Sequence, residues 1–137
     1  MAAGRLKGQV AWISGGTKGI GEGAAKLFAE EGAAVAVIGR NERDGARVAR
    51  QIARKGGRAI FVRCDVAVEE DVRRSIRETV KAFGRLHILV NNAGIVDVRM
   101  LHEYTEAQWD RVMDINVKSM FLAFKHAFPY LRRNRRS

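Results

Sequence analysis

The stretch VAWISGGTKGIGEG, from Val10 to Gly23, joins an apolar run to a helical pattern through a cluster of glycines. A glycine-rich turn between a strand and a helix presents backbone N–H groups, and this is a common way to bind a phosphate. The Walker pattern of ATPases requires Lys and then Ser or Thr after its last glycine, whereas Gly21 is followed by Glu22. The turn therefore predicts a phosphate-binding loop of another kind, with a purely structural turn as the alternative.

The spacing of the glycines decides how this loop is interpreted. A G-x-G-x-x-A pattern occurs at Gly19, Gly21 and Ala24, but it begins past Ser14, inside the presumed helix. Gly15 directly follows the strand, so the better interpretation is a triad of Gly15, Gly19 and Gly21. In this triad Gly15 makes the tight turn, Gly19 lets the backbone approach a pyrophosphate, and Gly21 packs the helix on the strand.

Strand-length apolar runs alternate with longer segments of helical spacing along the chain. In residues 72–83, for example, apolar side chains recur at intervals of four, four and three, which is typical of a helix with one buried face. Such alternation predicts a parallel sheet with helical crossovers. We therefore predict an α/β fold, a Rossmann-type doubly wound parallel sheet truncated after about four strands in the order 3-2-1-4. The four predicted strands are residues 9–14, 33–39, 58–66 and 86–94.

The composition and the last segment limit how the chain can be organised. A length of 137 residues, 47% of them hydrophobic and 29% charged, suits one globular domain. Residues 106 to about 133 are apolar on more than one face, which indicates a helix that is buried or meets a partner. Cys64 is the only cysteine, so an internal disulfide and a paired-cysteine metal site are excluded. We expect Cys64 to be a buried or half-buried strand residue.

The formal net charge of +10 includes four arginines among the last six residues. Such an excess can indicate nucleic acid, an anionic membrane surface or a phosphorylated small molecule as the partner. Nucleic acid is the less favoured partner because the sequence has no aromatic stacking platform, zinc-finger spacing or recognition-helix motif. No apolar run approaches the roughly 18 residues of a membrane span, and the N-terminus has no signal-peptide core. We therefore expect a cytoplasmic protein without a membrane partner.

Three motifs in order resemble the signatures of the short-chain dehydrogenases/reductases. SGGTKGIG is similar to that family's Thr-Gly-x-x-x-Gly-x-Gly, with Ser14 in place of Thr and the hydroxyl kept. NNAG, residues 91–94, follows the fourth predicted strand, where the family has the same four letters, and DINVKS, residues 114–119, resembles a third family segment. The resemblance covers the whole chain but only the first half of the family's fold. It implies a single NAD(P)-binding domain over residues 1–137, incomplete at its C-terminus.

The resemblance implies roles for residues of the glycine loop and of the strand ends. Asp65 is similar to the family's adenine-contacting Asp, and a strand-end Asp that caps a turn is an equal alternative. Asn116 resembles an Asn that assists a proton relay, but in this chain a hydrogen-bonded kink is the favoured alternative. Asn116 is the one predicted catalytic residue. The predicted cofactor-binding residues are Gly15, Thr17, Lys18, Gly19, Ile20, Gly21, Arg40, Asp65, Val66, Asn92, Ala93 and Gly94.

The end of the second predicted strand bears on which dinucleotide is bound. An NAD site carries an acidic residue there that binds the ribose 2′-OH, but this sequence has Gly39 followed by Arg40. The guanidinium of Arg40 can pair with a 2′-phosphate, and Lys18 of the glycine loop can join it. We therefore predict NADP, with NAD less favoured and two solvated surface cations as the alternative.

The residues that carry the family's chemistry do not occur in this sequence. The resemblance implies a Ser and a Tyr-x-x-x-Lys pair, but Tyr104 is followed four positions later by Gln108, and Tyr130 by Asn134. We predict the NADP-binding portion of an oxidoreductase whose complete form acts on a small carbonyl or alcohol, with this chain inactive alone. A noncatalytic partner subunit is a further alternative. Because the long final helix commonly lies in a subunit interface in the family, the resemblance implies a homo-oligomer.

Overall fold

Strands and helices alternate from residue 10 to residue 90, and a long helical segment follows. The computed structural model describes residues 4–134. Its elements in chain order are β1 (Val10–Ser14), α1 (Gly19–Glu30), β2 (Ala34–Gly39), α2 (Glu42–Arg54), β3 (Arg58–Arg63), α3 (Glu69–Phe83), β4 (Ile88–Val90), a 3-10 turn (Leu101–Glu103), α4 (Glu106–Met113), a π-helical turn (Asp114–Lys118) and α5 (Ser119–Leu131).

The four strands form one parallel sheet in the order β3-β2-β1-β4. Parallel neighbours require crossover connections, and α1, α2 and α3 supply them. The register of β1 and β2 runs without interruption, with Val10 opposite Ala34 and Ser14 opposite Ile38. This topology confirms the predicted doubly wound α/β fold and its strand order, and it brings the carboxyl ends of all four strands to one edge of the sheet.

The sheet is covered on both faces, which explains why its strands are continuous apolar runs rather than alternating ones. Along β1, Trp12 packs in one cluster with side chains of α3 and α5, such as Val72 and Leu122. Its neighbour Ile13 points to the other face and packs in a second cluster with side chains of α1 and α2. Cys64 lies in the first cluster, and burial raises the pKa of its thiol to about 12. The predicted burial of Cys64 is therefore confirmed, but its assignment to a strand is wrong, because β3 ends one residue earlier at Arg63.

β1 and β2 each begin one residue later than predicted, and β3 and β4 are shorter by three and six residues. β3 ends at Arg63 rather than residue 66, because the chain turns there: Ala67 N donates to Asp65 Oδ1 at 3.0 Å. β4 has three residues rather than the nine predicted. In the described part of the chain β4 pairs only with β1, and beyond Val90 its backbone amides turn to a side chain of β1 instead of extending the ladder. Apolar residues that the prediction assigned to the ends of these strands thus lie in turns and loops.

The final helical segment ends at Leu131, close to the predicted end, but it is not uniform. The π-helical turn at Asp114–Lys118 separates α4 from α5. As predicted, one side of α5 is buried, including Leu122 and Ala123, while large apolar side chains on other sides are exposed, including Phe121 and Phe124. No helix of the described residues is both long enough and apolar enough to cross a membrane.

Candidate cofactor-binding site

A cleft of about 330 Å³ opens at the edge of the sheet where the strands end. Such edges are where open parallel sheets bind ligands, outside the carboxyl ends of their strands. The cleft is bounded by the glycine loop, the ends of β2 and β3, and the segment after β4. Its lining residues are Gly15, Thr17, Lys18, Gly39, Arg40, Asn41, Asp44, Cys64, Asp65, Val66, Ala93, Gly94, Ile95 and Ile115.

The three glycines of the predicted triad occupy places where a side chain has different consequences. Gly15 has φ +65°, and a Cβ there would lie 2.8 Å from Asn92 Nδ2. A Cβ on Gly21 would lie 2.1 Å from the carbonyl oxygen of Gly15, so α1 sits directly against the loop. Gly19 has φ +55° with nothing within 4 Å of its Cβ position. The loop is thus closely packed at Gly15 and Gly21. It is open at Gly19, where the protein backbone was predicted to approach a pyrophosphate.

Ser14 joins the glycine loop to the segment after β4. Its Oγ accepts hydrogen bonds from the backbone N–H groups of Asn92 and Ala93, both at 3.0 Å, and donates to the carbonyl of Val90 at 3.3 Å. Asn92 Nδ2 also donates to the Gly15 carbonyl at 3.2 Å. The hydroxyl that Ser14 shares with the family's Thr therefore holds the segment after β4 against β1. Sequence reasoning missed this role.

Two exposed cations and two polar residues surround the end of β2. Lys18 and Arg40 both line the cleft. Asn41 and Asp44 also line it, and Asn41 Oδ1 caps α2 by accepting from Asp44 N at 3.0 Å. Neither was predicted, although an Asn just before a helical pattern is an N-cap signal. Asp44 adds a negative charge to this end of the cleft.

Thr17 fits into the space that Gly39 leaves. Thr17 is buried, and a Cβ on Gly39 would lie 2.5 Å from its Cγ2. The absence of a side chain at the end of β2 therefore lets the glycine loop lie close to that strand. Gly39 is needed for packing as well as for its place beside Arg40.

The end of β3 supplies Asp65 and Val66. The Asp65 carboxylate accepts from Ala67 N, and the backbone N–H of Asp65 donates to Asp71 Oδ2 at 2.9 Å. That backbone hydrogen bond is the main reason that the pKa of Asp71 lies below its usual value. Both proposed functions of Asp65 fit this arrangement, since the carboxylate caps a turn and lines the cleft at the same time.

Asn116 lies in the π-helical turn and holds the segment after β4 in place. Its Oδ1 accepts from Ile95 N and its Nδ2 donates to Ile95 O, both at 2.8 Å. A Cβ on Gly94 would lie 3.3 Å from the same Oδ1. The half-buried amide thus satisfies both of its polar atoms on the backbone of Ile95, as the hydrogen-bonded alternative predicts, while the role in a proton relay stays a prediction.

The remaining predicted residues lie next to the cleft rather than on its wall. Gly21 and Asn92 support the loop from behind, whereas Gly19 and Ile20 are exposed at the start of α1. Residues 4–134 contain no group of three His, Cys, Asp or Glu side chains that could hold a metal ion. The lining of the cleft combines glycines and a few charged side chains with apolar residues such as Val66, Ile95 and Ile115.

A parallel sheet with a glycine loop opening on a cleft at its carboxyl edge defines a nucleotide-binding α/β protein. The sequence matches the short chain dehydrogenase family over residues 9–137, and the chain belongs to that family. It is 42% identical over 128 residues to an uncharacterized oxidoreductase of Thermotoga maritima, covering 93% of this chain and 50% of the relative. It is 39% identical over 137 residues to the L-fucose dehydrogenase of Oryctolagus cuniculus, covering 98% and 47%.

Solved structures of the family have the same fold. A dehydrogenase/reductase from Sinorhizobium meliloti superposes with a TM-score of 0.91 at 41% identity, covering 95% of this chain and 52% of that one. A short chain dehydrogenase from Mycobacterium smegmatis gives a TM-score of 0.92 at 36% identity, covering 97% and 56%. The chain spans about half the length of the relatives it matches. Membership of this oxidoreductase family implies a nicotinamide dinucleotide, NAD or NADP, as the cofactor.

The residues of the cleft fit such a cofactor. The N-cap residue of α1, Lys18, makes no side-chain capping bond, so no capping side chain competes with a phosphate for the first amides of the helix. The open backbone at Gly19 lets a phosphate approach, and Lys18 adds a positive charge. Helix dipole, backbone donors and side-chain charge thus all favour an anion at this end of the cleft.

Proposed function

We propose that this chain is the NADP-binding part of an oxidoreductase whose complete form transfers hydride between NADP(H) and a carbonyl or alcohol substrate. The observation that carries the proposal is at the end of β2, where Gly39 and Arg40 stand in place of an acidic residue and line one cleft with Lys18. Two exposed cations beside a glycine loop favour a 2′-phosphate over a 2′-hydroxyl.

Each part of the cleft has a binding role in this proposal. The backbone of the glycine loop and the start of α1 bind the pyrophosphate, and Arg40 with Lys18 binds the 2′-phosphate. Asp65 and Val66 contact the adenine, and the segment 92–94 forms the wall beside the adenosine. When bound, the nicotinamide ring supplies or accepts the hydride.

Binding titrations of NADPH and NADH test the proposal. We expect the chain to bind NADPH more tightly by about tenfold or more, because charge-assisted hydrogen bonds to the 2′-phosphate are worth about 1.5–3 kcal/mol. Arg40→Ala should remove most of this preference. The matched control is Arg43→Ala, since Arg43 is an exposed arginine three positions further along the chain, in the first turn of α2, that does not line the cleft. Equal affinities, or a preference for NADH, would contradict the assignment of NADP.

Catalysis is a separate expectation. Neither Tyr104 nor Tyr130 is followed by Lys four positions later, so neither forms a Tyr-x-x-x-Lys pair. Hydride transfer requires a proton transfer to or from such a positioned acid or base. We therefore expect the purified chain to bind the dinucleotide without turning over alcohols or ketones. A steady change in nicotinamide absorbance that follows the amount of pure protein would refute this expectation.

A further inference from the structure

Arg47 of α2 connects the glycine loop to two helices. Its Nη1 and Nη2 donate to the two carboxylate oxygens of Glu22 on α1, each at 2.8 Å. Nη2 also donates to the backbone carbonyl of Thr17, in the middle of the loop, at 3.2 Å. The Glu22 side chain is 17% exposed and the Arg47 side chain 38%, so the carboxylate is largely shielded from water while the guanidinium is partly open to it.

We infer that Arg47, locked by Glu22, is a positioning residue that sets the conformation of the glycine loop for dinucleotide binding. The inference rests on the proposed cofactor site but concerns residues outside its walls, since neither Arg47 nor Glu22 lines the cleft. It assigns to α2 a function in cofactor binding beyond that of a crossover helix.

The middle of the loop depends on such a contact, because the other hydrogen bonds of the loop lie nearer its ends, at the Gly15 carbonyl, the Gly16 N–H and the Lys18 carbonyl. Gly15 and Gly19 give the backbone wide freedom in the unbound chain, and the N-cap Lys18 makes no side-chain bond. The hydrogen bond to the Thr17 carbonyl fixes the loop at the residue between these two glycines. A loop ordered in advance spends less free energy on ordering when the ligand binds.

The chemistry of the pair suits a permanent clamp. A guanidinium can bind both carboxylate oxygens and still direct an N–H at the carbonyl, whereas the single ammonium of Lys cannot match this fork. The hydrogen bonds from Arg47 and from Lys26 lower the pKa of Glu22 to about 2. Glu22 is therefore ionised near neutral pH, so its ion pair with Arg47 persists there.

The same two helices contain a natural control. Lys55, the residue directly after α2, places its Nζ 2.9 Å from Oε1 of Glu30, the last residue of α1. This second ion pair also joins α2 to α1 but contacts no part of the loop. Lys55→Ala therefore removes an α1–α2 ion pair and leaves the Thr17 carbonyl bonded.

Amide hydrogen exchange in the absence of dinucleotide tests the hold on the loop. The reporters are the N–H of Gly16, bonded to Ile38 O, and the N–H of Glu22, bonded to Lys18 O. Arg47→Ala should accelerate exchange at both by about tenfold, because it removes charge-assisted hydrogen bonds. Arg47→Lys should fall between Arg47→Ala and the wild type, and Lys55→Ala should leave both reporters unchanged. Gly57, whose N–H bonds to Ile52 O near the control pair, reports any general loosening.

NADPH titration of the same variants tests the consequence for binding. We expect Arg47→Ala to weaken NADPH affinity several-fold more than Lys55→Ala at similar melting temperatures. Unchanged exchange at Gly16 and Glu22, or equal acceleration at Gly57, would overturn the inference, as would faster loop exchange with unchanged affinity. A wild-type chain that binds neither NADPH nor NADH would overturn the proposed function instead, and the exchange comparison would still decide whether Arg47 holds the loop.

Discussion

At the scale of single residues, Trp12 shows how one polar atom links the sheet to a helix. Its Nε1 donates to Ser75 Oγ of α3 at 3.0 Å, and both side chains are fully buried. Ser75 Oγ in turn donates to the carbonyl of Val72. Among the described residues no buried side-chain N or O atom lacks a hydrogen-bond partner, so each such bond matters to the stability of the core.

Ser75→Ala should destabilise the chain by about 1–3 kcal/mol, because it leaves the buried indole N–H of Trp12 without an acceptor. Thr79→Val is the matched control. Thr79 is equally buried on the same helix, but its hydroxyl only donates to the Ser75 carbonyl. Its removal leaves no donor unpaired and should cost about 1 kcal/mol or less. Urea denaturation measures the free energy of unfolding of both variants. Equal losses would show that the hydrogen bond from Trp12 contributes no more to stability than that of Thr79.

His87 makes the folded state sensitive to pH. Its Nδ1 accepts the backbone N–H of Val10 at 3.0 Å, which only the neutral ring can do. Burial, and then the charge of Arg85, hold the pKa of His87 below its usual 6.5. The unfolded chain therefore takes up a proton first as the pH falls. The contribution of His87 to the free energy of unfolding should therefore be constant above about pH 6.5 and decrease below it.

His87→Asn isolates this effect, because Asn offers an acceptor oxygen and does not titrate. Urea denaturation of both proteins between about pH 7.5 and 5.5 should show that the wild type loses stability relative to the variant as the pH falls below His87's usual pKa of 6.5. Parallel pH profiles would show that His87 stays uncoupled from folding. A wild type that gains stability would mean the opposite sign of pKa shift.

Sequence reasoning identified many of the cleft's residues because their chemistry shows in their type. Glycines, a basic residue after β2 and an Asp after β3 stand out at the ends of apolar runs, and Lys18, Arg40 and Asp65 do line the cleft. Ser14 and Arg47 were missed for a different reason. The contacts that define their roles join residues 25 or more positions apart, and no spacing within one element indicates such a pairing.

At the scale of elements, α1 carries two neighbouring glycines with opposite functions. Gly21 faces the glycine loop, where a Cβ would lie 2.1 Å from the Gly15 carbonyl oxygen and 2.5 Å from Asn92 Nδ2. Gly23 is exposed, with nothing within 4 Å of its Cβ position. A side chain can therefore stabilise the helix at Gly23 but not at Gly21.

Gly23→Ala should raise the free energy of unfolding by about 0.5–1 kcal/mol, because alanine loses less backbone entropy in a helix. Gly21→Ala should lower it and weaken dinucleotide binding, because the clash is with backbone atoms that cannot rotate away. Thermal denaturation and NADPH titration of the pair provide the comparison. Two stabilised variants would show that α1 does not pack against the loop as closely as described.

The elements themselves were predictable to different degrees. Helical spacing over residues 72–83 and a continuous apolar run at β1 correspond to α3 and β1 closely. The π-helical turn at Asp114–Lys118 was not predicted, because its wider winding is not visible in the apolar spacing of a helix that is apolar on several sides. From this turn, the amide of Asn116 bonds across to Ile95 and Ile115 packs against the core.

At the scale of the whole molecule, an unpaired strand edge and an apolar helix surface lie exposed. In the described part of the chain β4 pairs with β1 on one side alone. On α5, Phe121, Phe124 and Phe128 are 62%, 55% and 45% exposed. Unpaired strand edges and clustered aromatic side chains both promote contact between molecules.

We expect the chain to self-associate at micromolar concentration, since burying these surfaces is favourable despite the positive net charge. Phe124→Ser should weaken the association, because Phe124 and Phe128 pack against each other at a centroid distance of 5.6 Å. Sedimentation velocity over a range of concentrations measures it. A well-folded monomer at every concentration would contradict this expectation.

The central claim is that the cleft at the carboxyl edge of the sheet binds NADP. The most direct measurement is the change in backbone amide NMR shifts as NADP⁺ is added to the chain at moderate salt. We predict that the largest changes cluster at residues 15–21, at Arg40, at Asp65 and Val66, and at residues 92–94. A second group of basic residues, Arg73 and Arg77 of α3 with Lys125 of α5 and Arg133 just after it, lines a separate groove. Changes that instead cluster at this groove, or that are absent, would contradict the claim.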